Sequence, residues 1–223
     1  MAEDYAKPST DAEYSRHPHY YFQDGNLYIL IEDVMFNVHR SILPSRDPSI
    51  LWLGRSEDYP LRVKDVRRAA FELFLSLLYP FVPTEEAPRP RAVEDWVSVL
   101  DQSHRWGCER IRVIAVEQLS ILPMDEVLKI AVWRKYGLDE NDLLPCLQVL
   151  GTRDQPLTLT EGRLLELEMA LRVSALRERV QQGLIAYTKQ SSARPDLLDI
   201  LPSQRVKELV CRALLPDFMN CGT

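Results

Sequence analysis

The chain could do proton-transfer chemistry through four histidines and a scatter of carboxylates. His39 follows the alternating stretch Val34-Met35-Phe36-Asn37-Val38 and precedes Arg40-Ser41-Ile42-Leu43. A general base there needs a nucleophile or a carboxylate within reach. Ser41 is two residues away, and residues two apart on a turn do not face each other. His39 therefore reads as a histidine that hydrogen-bonds the backbone of a strand–helix junction. His104 falls on the apolar face of a helical pattern and reads as a core histidine. His17 and His19 fall in an N-terminal tail where nothing is expected to hold them. The adjacent carboxylates Glu32-Asp33, Glu57-Asp58 and Glu85-Glu86 occupy turn or loop sequence. Acid–base work needs carboxyls fixed in a partly buried cleft, so these read as solvated charge.

Metal chemistry finds no pattern. There is no CxxC, HxxxH or HExxH, and His104 with Cys108, four apart, supplies two ligands where a structural site needs four. Cys108, Cys146, Cys211 and Cys221 are expected to be free thiols. The eight glycines are never closer than eleven residues. A phosphate cradle needs clustered glycines that let backbone N–H groups approach the anion. No cofactor and no catalytic residue is therefore expected.

The 27 Lys+Arg and 33 Asp+Glu leave a net charge of −6, which argues against nucleic-acid or anionic-membrane partners. The one basic cluster, Arg62, Lys64, Arg67 and Arg68, is diluted by Asp65 and carries no interleaved aromatics, so it reads as a solvated face. Trp96 fits a core stripe. Trp52 lies in a segment broken by Pro48 and Gly54, and is open between a core position and an exposed partner contact. No basic-then-apolar leader opens the sequence, and no apolar run reaches the roughly 18 residues of a membrane span. The expectation is a soluble intracellular protein, cytoplasmic or nuclear.

The elements that must position these residues follow from periodicity. Residues 1–19 are polar and read as a disordered tail. Asp24-Gly25-Asn26 is turn chemistry before a strand, Leu27–Ile31. Glu32-Asp33 turns the chain into a second strand whose inward face is Val34, Phe36 and Val38. Pro44 and Pro48 break the next segment into short helices. Leu61-Arg62-Val63 alternates as a short third strand. Val66 to Tyr79 shifts to a 3.6-residue period and reads as an amphipathic helix stopped by Pro80. A Pro-rich connector spans 80–91.

From Val93 onward the pattern is helical. Gly107 and Gly151 read as helix ends, and Pro123 as the first turn of a helix. Thr158 and Glu161 fit a capping box ahead of a long helix to about Lys189, with Leu164, Leu167, Leu171 and Val180 among its apolar residues, read as packed rather than coiled. A loop at Ser191–Pro195 leads to helical pieces over Leu197–Leu215. The division expected is 1–19 tail, 20–120 first domain and 121–218 helical extension.

The stretch Asp24-Gly25-Asn26-Leu27-Tyr28-Ile29-Leu30-Ile31, followed by Phe36-Asn37-Val38-His39-Arg40-Ser41-Ile42-Leu43, resembles the BTB/POZ family. The family motif falls on Phe36, Val38, His39, Arg40 and Leu43. Leu61–Asp65 resembles the family's third strand, Phe71–Tyr79 its following helix, and Trp96–Leu119 its closing helix pair. The wording is most similar to that of the short fungal BTB proteins. The resemblance implies an α+β fold in which a three-stranded sheet with a helical cluster is followed by an all-α extension. It implies a non-catalytic protein–protein interaction adaptor that pairs with itself or another BTB protein. Arg40 matches the basic residue near the family's dimer interface, and Asp24 stands two residues before the family's acidic position, which Asn26 occupies. Trp52, Leu53, Glu57 and Tyr59 occupy the partner-contact region. The alternatives are a substrate adaptor of a cullin-type ubiquitin ligase and, in a different class, an enzyme with an unrecognised site.

Overall fold

The computed structural model describes residues 14–43, 53–80 and 89–190, with side chains to residue 182. Several expectations lie outside the described residues. They are the start of the tail, the short helices around Pro44 and Pro48, Trp52, and residues 81–88 of the Pro-rich connector with Glu85-Glu86. The segment 191–223, with its expected loop and helical pieces, Cys211 and Cys221, lies outside them too. The protein is α+β and forms two compact units that divide between Pro123 and Met124.

The first unit is organised by a hairpin. Strands β2 (Leu27–Ile31) and β3 (Val34–Val38) pair antiparallel, from Leu27 opposite Val38 to Ile31 opposite Val34. Glu32, at the turn, takes a φ of 55°. Strand β4 (Leu61–Arg62) adds parallel to β2, and β1 (Ser15–Tyr21) adds parallel to β3, giving the order β1-β3-β2-β4.

The sheet therefore has four strands where three were expected, and residues 15–19 are strand rather than disordered tail. The physical reason is local. β1 buries His17 and Tyr20, three residues apart, because its register shifts between Arg16 and Tyr21. A bulge breaks the period-2 signal by which a strand is read. Pro18 is tolerated because β1 is an edge strand. A second correction concerns β3, which buries all five of its residues, Met35 and Asn37 included. It lies between β1 and β2, and a central strand covered on both faces does not alternate.

Helix α1 (Arg68–Leu78) buries Phe71, Leu73, Phe74 and Leu75. Phe71 meets Phe36 edge-on at 5.1 Å and Trp106 at 5.8 Å, which joins the sheet to α2 (Val93–Trp106). The Asp95 carboxylate accepts the N–H groups of Arg91 and Ala92 at the start of α2. Gly107, at φ 69°, ends it in the left-handed conformation, and α3 (Glu109–Ile121) packs back through Ile111, Ala115 and Leu119.

The second unit is helical. Helix α4 (Glu126–Lys135) starts later than expected. Asp125, not Pro123, sets its N-terminus by accepting the N–H groups of Val127 and Leu128 at 3.0 Å. Helix α5 (Leu144–Thr152) contains Gly151 rather than ending at it. A Cβ there would lie 3.1 Å from Leu176, so the glycine serves helix–helix approach. Helix α6 (Leu159–Gln190) begins with the expected capping box: Thr158 N–H donates to Glu161 Oε2 at 2.7 Å, and Glu161 N–H to Thr158 Oγ1 at 3.2 Å. Its buried stripe is Leu165, Met169, Val173, Leu176 and Val180. Buried Arg177 donates to the carbonyls of Leu150 and Asp154, covering the open end of α5. One residue interrupts α6: Glu166 stands at φ 62°, ψ 163°.

Among the described residues no helix is long and apolar enough to cross a membrane, and no group of three or more metal-ligating side chains converges.

Candidate interaction surface

The turn after Gly54 carries the most organised polar cluster. Ser56 and Tyr59 form an isolated antiparallel bridge, with Tyr59 N–H on the Ser56 carbonyl at 3.2 Å. Glu57 and Asp58 sit at the corner. The Glu57 carboxylate is not solvated charge, as its loop sequence suggested. It accepts Arg16 Nε and Nη2 at 2.9 and 2.8 Å, a bidentate pair, and the Tyr21 hydroxyl at 2.9 Å. β1 supplies Arg16 and Tyr21, so the unexpected strand builds this site.

The electrostatics follow from that geometry. The Arg16 hydrogen bonds hold the Glu57 carboxyl below the usual carboxylate range, against a smaller opposing effect of burial. Burial, then the hydrogen bond to Glu57, pushes the Tyr21 hydroxyl up to about 12. Tyr14 is raised as well, by burial and by the negative charge of Glu57. The Arg16 guanidinium lies 4.8 Å from the Tyr21 ring centre, and Tyr28 meets Tyr21 edge-on at 6.3 Å. Around one carboxylate stand Tyr14, Arg16 and Tyr21, with Tyr28 against the Tyr21 ring and Tyr59 in the same turn 61 % exposed.

Tyrosine and arginine are the types that carry most binding energy at protein interfaces. A carboxylate that fixes an arginine and a tyrosine before any partner arrives reduces the ordering cost of binding. Of the four residues expected to face a partner, Glu57 is the centre of this cluster, Tyr59 shares its turn and is exposed, Leu53 is half-buried beside it in sequence, and Trp52 is outside the described residues. Tyr14, Arg16, Tyr21 and Tyr28 were missed. The signal for the β1 residues was the density of aromatics from Tyr14 to Phe22, which the polar composition of the N-terminus obscured.

The motif residues divide by role. Phe36, Val38 and Leu43 are core. His39 binds side chains rather than the junction backbone expected for it. Its Nδ1 lies 3.0 Å from the Tyr79 hydroxyl and its Nε2 3.3 Å from Asp24 Oδ2. The Tyr79 oxygen accepts the His39 backbone N–H at 2.9 Å, so its own proton is available to Nδ1. Burial raises the Tyr79 hydroxyl above its ordinary range, which keeps it protonated near neutrality and makes it a lock between β3 and the end of α1. Asp24 is exposed beside His39, while Arg40 Nη2 donates to the Leu53 carbonyl at 2.8 Å.

Two other histidines depart from expectation. His104 is exposed rather than core. With Ser103, Gly107, Glu109 and Arg112 it lines a hollow of about 170 Å³, below the range of small-molecule sites. His17 is held after all: it is 4 % exposed and stacks on Phe36 at 4.7 Å. Cys108 and Cys146 are buried free thiols, and burial pushes Cys108 up to about 11, the direction of an unreactive thiol.

Comparison with known proteins finds no matching family model, no matching curated protein and no matching solved structure.

Proposed function

We propose that this chain is a non-catalytic, intracellular protein–protein interaction adaptor. Its first unit is read as a BTB-type domain, its second as a helical extension, and the protein as self-associating. One observation carries the reading: Glu57 pre-organises Arg16 and Tyr21 in a tyrosine-rich surface from which Tyr59 projects. The hairpin running into Phe36-Asn37-Val38-His39-Arg40 supports the BTB assignment, through its resemblance to that family's motif.

The test uses a photo-crosslinking amino acid at position 59 of the full chain in its native cells, with the same group at exposed Asp154 as control. The reading expects discrete protein adducts at 59 that the control does not give. Identical adduct patterns at the two positions, or none at 59, contradict it. A cullin among the adducts selects the ubiquitin-ligase form of the reading.

A further inference from the structure

The shape of strand β1 depends on one imidazole nitrogen. Its ladder with β3 pairs Ser15, Arg16 and Tyr21, and the register shifts between the last two. In a regular strand, residues five apart point to opposite faces. Across this shift Arg16 and Tyr21 instead reach one carboxylate, that of Glu57, at 2.8 to 2.9 Å. The candidate interaction surface therefore needs the bulge. Inside the bulge Pro18 has no N–H, and the N–H groups of His19 and Tyr20 both donate to His17 Nδ1, at 3.1 and 3.0 Å. That nitrogen accepts only while it carries no proton, because both ring nitrogens of a charged imidazole are donors.

We propose that His17 is a pH-sensitive latch on the Glu57 surface: protonation of its imidazole releases β1 and separates Arg16 and Tyr21 from Glu57. The inference rests on the adaptor reading above and gives its surface a regulator. The groups that face the ring set the sign. From α1, Glu72 lies 3.0 Å from Nε2 and favours the charged ring, but the same oxygen already binds Arg68 Nε at 2.6 Å, and Arg68 opposes the charge. From β1, the His19 ring at 6.0 Å opposes it too, and the Tyr20 ring stands at 5.0 Å. From β3, the uncharged Phe36 ring covers it at 4.7 Å. Burial weighs most, and the closed strand holds the ring neutral. A released His17 takes its proton near the ordinary 6.5. The closed form is thus full above that pH, and below it the ratio of closed to released strand falls by up to about tenfold per pH unit. Glu57 does not titrate alongside, because the Arg16 hydrogen bonds hold its carboxyl below the usual carboxylate range.

The experiment is NMR of the labelled full chain from pH 7.5 to 5.0, following the Arg16 Nε–H, the Tyr21 ring and the His17 ring together. The Arg16 and Tyr21 signals are expected to leave their bound positions along one curve with the His17 titration. The Trp106 indole N–H, bonded to Gln102 in the core of the same unit, is expected to stay. His17→Phe keeps a ring on Phe36 and has no nitrogen to protonate, so its Arg16 signal is expected not to change with pH. An Arg16 signal that holds through the range, that moves only with Trp106, or that moves equally in His17→Phe overturns the latch. If that variant does not fold, the wild-type comparison of Arg16 with Trp106 decides. Crosslinking at position 59 near neutral pH tests the adaptor reading separately. Adducts there with a fixed Arg16 signal overturn the latch alone. A moving Arg16 signal without adducts keeps the latch and removes the adaptor reading.

Discussion

Nε2 of His17 and Oε1 of Glu72 lie 3.0 Å apart across 55 residues of chain, and this bond fixes the edge strand β1 onto α1. The tautomer follows from the other nitrogen. His17 Nδ1 receives the backbone N–H groups of His19 and Tyr20 at 3.1 and 3.0 Å, so it is an acceptor, and Nε2 carries the proton given to Glu72. The same Glu72 oxygen accepts Arg68 Nε at 2.6 Å.

A pH dependence follows. Protonating Nδ1 would set a third N–H against two backbone donors. Burial accordingly lowers the His17 pKa, opposed by the Glu72 hydrogen bond and assisted by Arg68 and His19. The folded pKa lies below the unfolded value of 6.5. Stability is full above that value and falls as pH drops below it, by at most about 1.4 kcal/mol per pH unit. Denaturant midpoints at pH 7.5 and 5.0 check this. His17→Phe, which keeps the ring on Phe36, is expected to flatten the wild-type loss, and an equal loss in both proteins contradicts it.

Gly54 and Gly162 are expected to respond in opposite directions. Gly54 has a φ of +66°, and an added Cβ would lie 2.5 Å from the Tyr28 carbonyl oxygen. Gly54→Ala should cost about 2–4 kcal/mol. Gly162 lies in α6, and a Cβ added there would meet nothing within 4 Å, so Gly162→Ala should gain about 0.5–1 kcal/mol. Chemical denaturation of the two variants measures both signs.

Glu166 supplies a test of strain. At φ 62°, ψ 163°, glycine fits where glutamate does not, and Glu166→Gly should stabilise the interrupted α6 by about 1–3 kcal/mol. Thermal unfolding measures the gain, and an unchanged or lowered midpoint contradicts it.

The Glu57 cluster predicts an unusual tyrosine. Tyr21 should titrate near 12 rather than near its ordinary 10.0, and Glu57→Ala should bring it down by removing both the hydrogen bond and the negative charge. Ring-carbon NMR of labelled tyrosine follows the transition, and an unmoved Tyr21 contradicts the assignment.

These sites show what was legible in the sequence. The β2–β3 hairpin, α1 and the long α6 are legible as elements, from apolar Leu27–Ile31 and from the 3.6-residue recurrence over Val66–Leu78 and Leu164–Val180. The buried faces of the helices are not: α1 buries Phe71, Phe74 and Leu75 rather than Leu77 and Leu78, and α6 buries Leu165, Met169 and Val173 while Leu164, Leu167 and Leu171 are exposed. The Thr158–Glu161 capping box is legible because its chemistry is local. β1 is not, because its inward residues are His17 and Tyr20 at a bulged spacing, and polar inward groups depend on distant partners such as Glu72. The Glu57 cluster is hidden for the same reason: a carboxylate in a turn looks solvated until Arg16 and Tyr21 arrive from 41 and 36 residues away. The interruption at Glu166 is invisible because glutamate is a good helix former.

The most direct test of the adaptor reading is a binding isotherm. The protein crosslinked at position 59 is purified and titrated against the wild-type chain and against Tyr59→Ala, whose exposed side chain should leave stability within about 0.5 kcal/mol. The account predicts that Tyr59→Ala weakens binding at least about tenfold. Equal affinities for the two chains would contradict it.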